Sequence, residues 1–111
     1  MHTMKVQTKY YNLLKSGSKT IELRLWDEKR QQIKVGDQIT FSDLSDLNDT
    51  FVAEVLALHH APNFDTLCTT IQPIQAGFST KEDLINCLQE FYTSDAQKQY
   101  GVVGIEIKKI S

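Results

Sequence analysis

Within six positions of this chain, Lys19, Thr20, Glu22 and Arg24 bring together an amine, a hydroxyl, a carboxylate and a guanidinium. The residues around them alternate. Ile21, Leu23 and Leu25 fall on one side and Thr20, Glu22, Arg24 and Trp26 on the other, the pattern of a strand with an apolar and a polar face. Glu22 and Arg24 then leave the same face about 7 Å apart at the backbone. Either they pair with each other and brace the structure, or each meets a ligand. In the second case Arg24 offers a planar fork of donors to a phosphate or carboxylate, and Glu22 accepts from an exocyclic amine such as that of cytosine or adenine. Lys19 supplies a charge or a base, and a lysine serves as a base near neutrality only where burial or a neighbouring cation has lowered its pKa. A Thr20 nucleophile activated by Lys19 is a further combination, disfavoured because adjacent strand residues diverge.

Other groups with chemical potential are scattered. Lys29 and Arg30 belong to the charged run Asp27-Glu28-Lys29-Arg30 beside Trp26. That run is either a solvated turn next to a packed tryptophan, or a cationic patch next to an aromatic that stacks on a base. Tyr92 and Tyr100 stand at the end of a helix and the start of a strand, where a phenol either packs into the core or reaches a cleft. His59 and His60 are adjacent, so on a strand they point to opposite faces and cannot chelate together. Cys68 and Cys87 lie in helical segments with no CxxC and no histidine pair at ligand spacing, so both are expected to be reduced core thiols, with no metal and no cofactor.

The elements that must position these groups are legible in outline. Residues 1–5 suit an edge strand. Tyr10, Tyr11, Leu13 and Leu14 crowd one side of a helix over Gln7 to Ser16, closed by Gly17, with Lys15 at its negative end. The polar-faced strand follows at once, which puts Lys19 in a short helix-to-strand connection. A Gly36-Asp37 turn opens a strand from Gln38 to Phe41, Asp43 to Asp49 reads as a polar turn, and Phe51 to His59 as a strand covered on both sides. Asn63 caps a helix carrying Phe64, Leu67, Cys68 and Ile71, and Gln72 to Phe78 is a loop. Ser79 with Glu82 has capping-box spacing and starts a helix with Leu84, Ile85, Leu88, Phe91 and Tyr92 on one face. Ser94 caps a brief helical turn ending near Gln99, and Val102 to Ile110 is a last alternating strand. Without a regular βαβ rhythm, the expected fold is α+β, a small, mostly antiparallel β-barrel with flanking helices.

Composition sets the frame. A chain of 111 residues with 41% hydrophobic and 23% charged content is one globular domain, spanning 1–111. No apolar leader or 18-residue apolar run is present, so a cytoplasmic monomer away from membranes is expected. The net charge of −2 conceals an asymmetry: residues 1–34 hold eight basic and three acidic groups, residues 35–111 four basic and eleven acidic. A local basic patch on an acidic body suits a short anionic ligand better than long duplex nucleic acid.

The stretch Gly17-Ser18-Lys19-Thr20-Ile21-Glu22-Leu23-Arg24 resembles the GxKxxExR signature of the ASCH domain, a family within the PUA-like superfamily. Asp27 to Arg30, Ile33-Lys34 with Gly36-Asp37, Phe64, Phe91-Tyr92 and the ending Tyr100-Gly101-Val102-Val103-Gly104-Ile105 extend the likeness over almost the whole chain, in the manner of small single-domain prokaryotic members. The resemblance implies a PUA-like barrel with a cleft between barrel and helices, lined by the signature. It implies RNA or nucleotide binding there, with Lys19, Thr20, Glu22 and Arg24 of the signature as candidate contacts, beside Trp26, Lys29, Arg30, Tyr92 and Tyr100, which are candidates by their own chemistry. The alternative it carries is a hydrolase, acting on N4-acetylcytidine or on an RNA phosphodiester, with Lys19 as base and Glu22 as carboxylate partner. In the family's amidohydrolases the lysine activates a threonine and a later loop supplies a glutamate. Here Glu22 stands at the threonine position, and the loop Pro73-Ile74-Gln75-Ala76-Gly77 has no carboxylate.

Overall fold

The computed structural model describes residues 2–111; Met1, the first residue of the expected edge strand, lies outside the described residues. The elements in chain order are β1 (His2–Val6), α1 (Thr8–Ser16), β2 (Ile21–Leu25), β3 (Gln38–Asp43), β4 (Asp46–Ala61), α2 (Phe64–Leu67), α3 (Lys81–Phe91), α4 (Ser94–Tyr100) and β5 (Val102–Lys109). Short 3₁₀ turns cover Arg30–Gln32 and Pro73–Ala76.

The five strands form one sheet in the order β1-β3-β4-β5-β2. β1 runs parallel to β3 and the other three pairings are antiparallel. The sheet curls into a half-barrel flanked by the four helices, an α+β fold of the PUA-like kind. Its two outer strands, β1 and β2, border the open seam of the curl. A side chain links them: one terminal nitrogen of Arg24 on β2 donates to the carbonyl of Lys5 on β1 at 3.0 Å.

Two apolar clusters hold the sheet from its two faces. One packs Tyr11 and Leu14 of α1 against Phe41, Phe51, Val103 and Ile105. The other packs Ile21 and Leu23 of β2 against Phe64, Leu67, Leu84 and Leu88 of the helices. The apolar face of β2 is therefore fixed under α2 and α3, which turns Glu22 and Arg24 the other way, toward the seam. Gly17 ends α1 in the left-handed region at φ 87° and donates to the carbonyl of Leu14, as a glycine at that position does best.

Several boundaries differ from the sequence reading. The polar segment Asp43 to Asp49 is mostly strand: the turn is only Leu44-Ser45, and β4 starts at Asp46. Asp43 accepts from Ser45 N and from the Thr8 hydroxyl, and Asp46 accepts from Asn48 N, so these acids are satisfied locally and the ladder runs on. α2 stops after one turn at Leu67, although Phe64, Leu67 and Ile71 are all buried. The cap of α3 is Thr80, whose hydroxyl accepts from Asp83 N at 3.1 Å, one residue beyond the expected Ser79. On α3 only Leu84 and Leu88 are buried, and Phe91, expected on the core face, is 52% exposed. Among the described residues no helix is long and apolar enough to cross a membrane.

Candidate functional site

The seam between β1 and β2 opens into a cavity of about 220 Å³, roofed by α3 and walled by the start of α1. Lys19, Glu22, Arg24 and Tyr92 all line it. Lys19 arrives from the short connection after α1, pinned by its own N–H to the carbonyl of Leu13 at 3.0 Å. The next residue, Thr20, donates its N–H to the carbonyl of Gln75, which ties the 3₁₀ turn at Pro73–Ala76 to the start of β2. That tie brings Gly77 against the lysine stem. Gly77 has φ 90°, and a Cβ built on it would stand 3.2 Å from Lys19 Cδ and 3.4 Å from a methyl of Leu13. A glycine serves there for both its conformation and its lack of bulk.

At the centre is one carboxylate between two cations. Lys19 Nζ lies 2.8 Å from Glu22 Oε1, with both side chains almost wholly buried. Arg24 donates to Glu22 Oε2 twice, from Nε at 3.0 Å and from a terminal nitrogen at 2.8 Å. Of the two readings open from sequence, the pair between Glu22 and Arg24 is made, and Lys19 joins it. Burial on its own would raise the Glu22 carboxyl. The charges of Lys19 and Arg24 and their hydrogen bonds more than offset it and hold the group at about 2. Burial would likewise lower the Arg24 guanidinium, but Glu22 beside it carries the net shift upward. Glu22 is thus ionised throughout the physiological range, and the trio keeps one unit of positive charge facing the cavity.

Aromatic rings shape the rest of the wall. The Lys19 ammonium sits 4.8 Å from the centroid of the Tyr10 ring, a cation–π contact. The Tyr10 ring lies 5.5 Å from that of Phe78, and its hydroxyl is 3.4 Å from Cys87 Sγ. Burial first, and the Cys87 contact second, push the Tyr10 phenol up to about 12, so it stays protonated as a donor. Burial also raises Tyr92, which feels the opposing charge of Arg24. Phe91 and Leu44 also line the cavity and are 52% and 54% exposed, which puts them at its rim.

The remaining candidates lie outside these walls. Thr20 is half-buried and engaged through its backbone, its carbonyl accepting from Ile107 N. Trp26 packs edge-on to His60 with centroids 4.5 Å apart. Lys29 is exposed; Arg30 pairs with Asp27 at 3.2 Å, its Nε buried without a hydrogen-bond partner. Tyr100 ends α4. Conversely, Tyr10, Phe78 and Cys87 line the cavity; the sequence reading placed Tyr10 on the packed side of α1, Cys87 among core thiols and Phe78 at the end of a loop. No local signal marks them, because a residue on a packed helix face or in a loop has the same pattern whether it meets the core or a cavity wall.

A second cleft of about 460 Å³ lies between α2, α3 and α4, sharing Leu88 with the first as a common wall. Two of its amide side chains are engaged. Gln97 accepts from Phe64 N and donates to the carbonyl of Tyr92, and Asn63 caps α2 through Thr66 N. Among the described residues no cluster of histidine, cysteine and carboxylate groups is set to hold a metal ion.

Residues 4–111 match the ASCH domain family. Among solved structures, the crystal structure of a hypothetical protein, PH0355, is 34% identical, superposes with a TM-score of 0.85, and is matched over 97% of this chain and 97% of that one. The solution NMR structure of PF0455 from Pyrococcus furiosus is 32% identical with a TM-score of 0.78, over 99% of this chain and 97% of that one. A mutant form of ZmASCH from Zymomonas mobilis shares the fold at 12% identity, with a TM-score of 0.70 over 98% of this chain and 72% of the other. No curated protein matches the sequence.

Proposed function

This chain belongs to the ASCH domain family, and we propose that it is a binding module whose seam cavity takes a nucleotide or a segment of single-stranded RNA in the cytoplasm. The observation that carries the proposal is the trio itself: two cations held by one buried carboxylate, at the wall of an aromatic-lined cavity. Glu22 fixes Lys19 and Arg24 in place and has most of its accepting capacity filled by them, so its part is to orient donors. Of the five N–H donors of a guanidinium, the bonds to Glu22 and Lys5 use three, leaving the second terminal nitrogen for a phosphate or a base carbonyl. Tyr10, Phe78 and Tyr92 offer ring surface to a planar base, and Tyr92 a phenol.

The hydrolase alternative asks Lys19 to act as a base, whereas here it donates to Glu22 as an ammonium. The experiment is a titration of the protein with short single-stranded RNAs and with nucleosides including N4-acetylcytidine, products being followed by mass spectrometry. We expect binding without turnover, weakened at least tenfold in Arg24→Ala and Lys19→Ala. The salt slope should become shallower by roughly 0.7 for each phosphate that a variant no longer neutralises. Turnover that vanishes in Lys19→Ala would overturn the binding reading in favour of an enzyme. Unchanged affinity in both variants would remove the cavity from the ligand's path.

A further inference from the structure

The cavity and its mouth ask for different things. At about 220 Å³ it is smaller than the roughly 300–1,000 Å³ typical of pockets that enclose a whole drug-sized molecule. It therefore has room for one ring system and leaves a sugar and phosphate outside. Outside is where Phe91 and Leu44 stand, both more than half exposed on the rim, Phe91 one residue before Tyr92. Phe91 leaves about half of its surface exposed and is not among the buried residues of α3, which are Leu84 and Leu88. Two exposed lysines, on β1 and at the start of α1, stand outside the buried trio. Lys5 lines the opening and Lys9 reaches to 5.6 Å from the Tyr10 ring, and neither forms an ion pair among the described residues. By contrast Lys15, Lys19, Arg24 and Arg30 all do.

From this division we infer that the ligand is a strand of RNA from which a single unpaired base enters the cavity, the neighbouring base stacking on Phe91 outside, with Lys5 and Lys9 on the flanking phosphates. The inference rests on the nucleotide-binding reading and narrows it: the site is built for a residue within a chain, and a free nucleoside satisfies only its inner half. A base extruded from its neighbours gives up its stacking, and an exposed ring at the mouth restores a stacking surface on the neighbour's side. Since every base has a π face, the outer contact is tolerant of sequence, and any selectivity resides in the enclosed base.

The test compares a single-stranded RNA pentamer with the matching free nucleoside, by calorimetric or fluorescence titration, on the wild-type protein and on Phe91→Ala, with Phe91→Trp as the conservative variant. The wild type should prefer the pentamer by at least tenfold. Phe91→Ala should reduce that preference about tenfold, the order expected for removal of one base–aromatic stack, and Phe91→Trp should retain it. In Lys5→Ala/Lys9→Ala the salt slope for the pentamer should fall by roughly 1.4, the equivalent of two single-strand phosphates. Equal affinity for pentamer and nucleoside, or a preference that Phe91→Ala leaves intact, overturns the inference while the cavity remains a nucleoside site. Failure of both ligands to bind refutes the reading of the cleft itself, and this inference with it.

Discussion

Replacing Glu22 by glutamine keeps the shape of the side chain and removes the one negative charge between Lys19 and Arg24. Its cost can be worked in two ways. The folded protein holds the Glu22 carboxyl at about 2 against 4.5 for a free glutamate, and each unit corresponds to about 1.4 kcal/mol, so the ionised form contributes on the order of 3 kcal/mol to stability. Removing one partner from a buried ion pair typically costs about 3–5 kcal/mol, because the remaining charge is left desolvated and unpaired. The two routes agree. They also fix the pH dependence. A carboxyl depressed by folding stabilises above its unfolded value, and that stability is lost as pH falls from about 5 toward 2, where the folded group takes up its proton. Asp37 and Asp49 are depressed as well, but they are present in both proteins and cancel in the difference. Urea denaturation of wild type and Glu22→Gln at a series of pH values should therefore show a gap of about 3 kcal/mol at pH 7 that closes as pH approaches 2. A gap under about 1 kcal/mol at pH 7, or one that persists undiminished in acid, would refute the picture of Glu22 as the charge that holds both cations.

Gly77→Ala forces a side chain into the left-handed region and places its methyl 3.2 Å from the stem of Lys19, so we expect a loss of about 1–2 kcal/mol in thermal or urea unfolding together with weaker RNA binding. Loss of stability with ligand affinity unchanged would show that the lysine does not depend on that clearance. Thr80→Ala should cost about 1 kcal/mol in urea unfolding by removing the cap of α3, while Ser79→Ala should be neutral within about 0.5 kcal/mol; the reverse ranking would restore Ser79 as the cap.

What sequence could show of this protein follows the reach of each physical signal. Strand alternation is local, so the facing of Ile21, Leu23 and Leu25 away from Glu22 and Arg24 was legible, and so was the glycine stop after α1. The sheet order was not. Nothing in the residues of β1 says that it runs parallel to β3, because that pairing depends on how α1 carries the chain across the seam. Helical periodicity names a face but not its neighbour, and so Tyr10, Cys87 and Phe91, all on apolar helix faces, could not be told apart as cavity wall, cavity wall and rim. Adjacent hydroxyls at Ser79 and Thr80 satisfy the same cap rule, and only the bond to Asp83 N chooses between them. Lys19 and Glu22 were paired from sequence only as base and carboxylate in the hydrolase alternative; their ion pair was not legible, because the strand pattern describes β2 from its first residue and Lys19 reaches the carboxylate from the connection before it.

The place of β2 in the sheet has a temporal side. Among the described residues its ladder partner is β5, the last strand in chain order, with Ile21 opposite Glu106 and Leu25 opposite Val102. Pairing between segments so distant in sequence carries a high closure entropy and tends to come late in folding. During synthesis, Lys19, Glu22 and Arg24 leave the ribosome well before the strand that aligns them, and until it arrives they are three exposed charges on an unpaired segment. A nascent or shortened chain without residues 102–109 would therefore carry the whole signature without the ladder that aligns it.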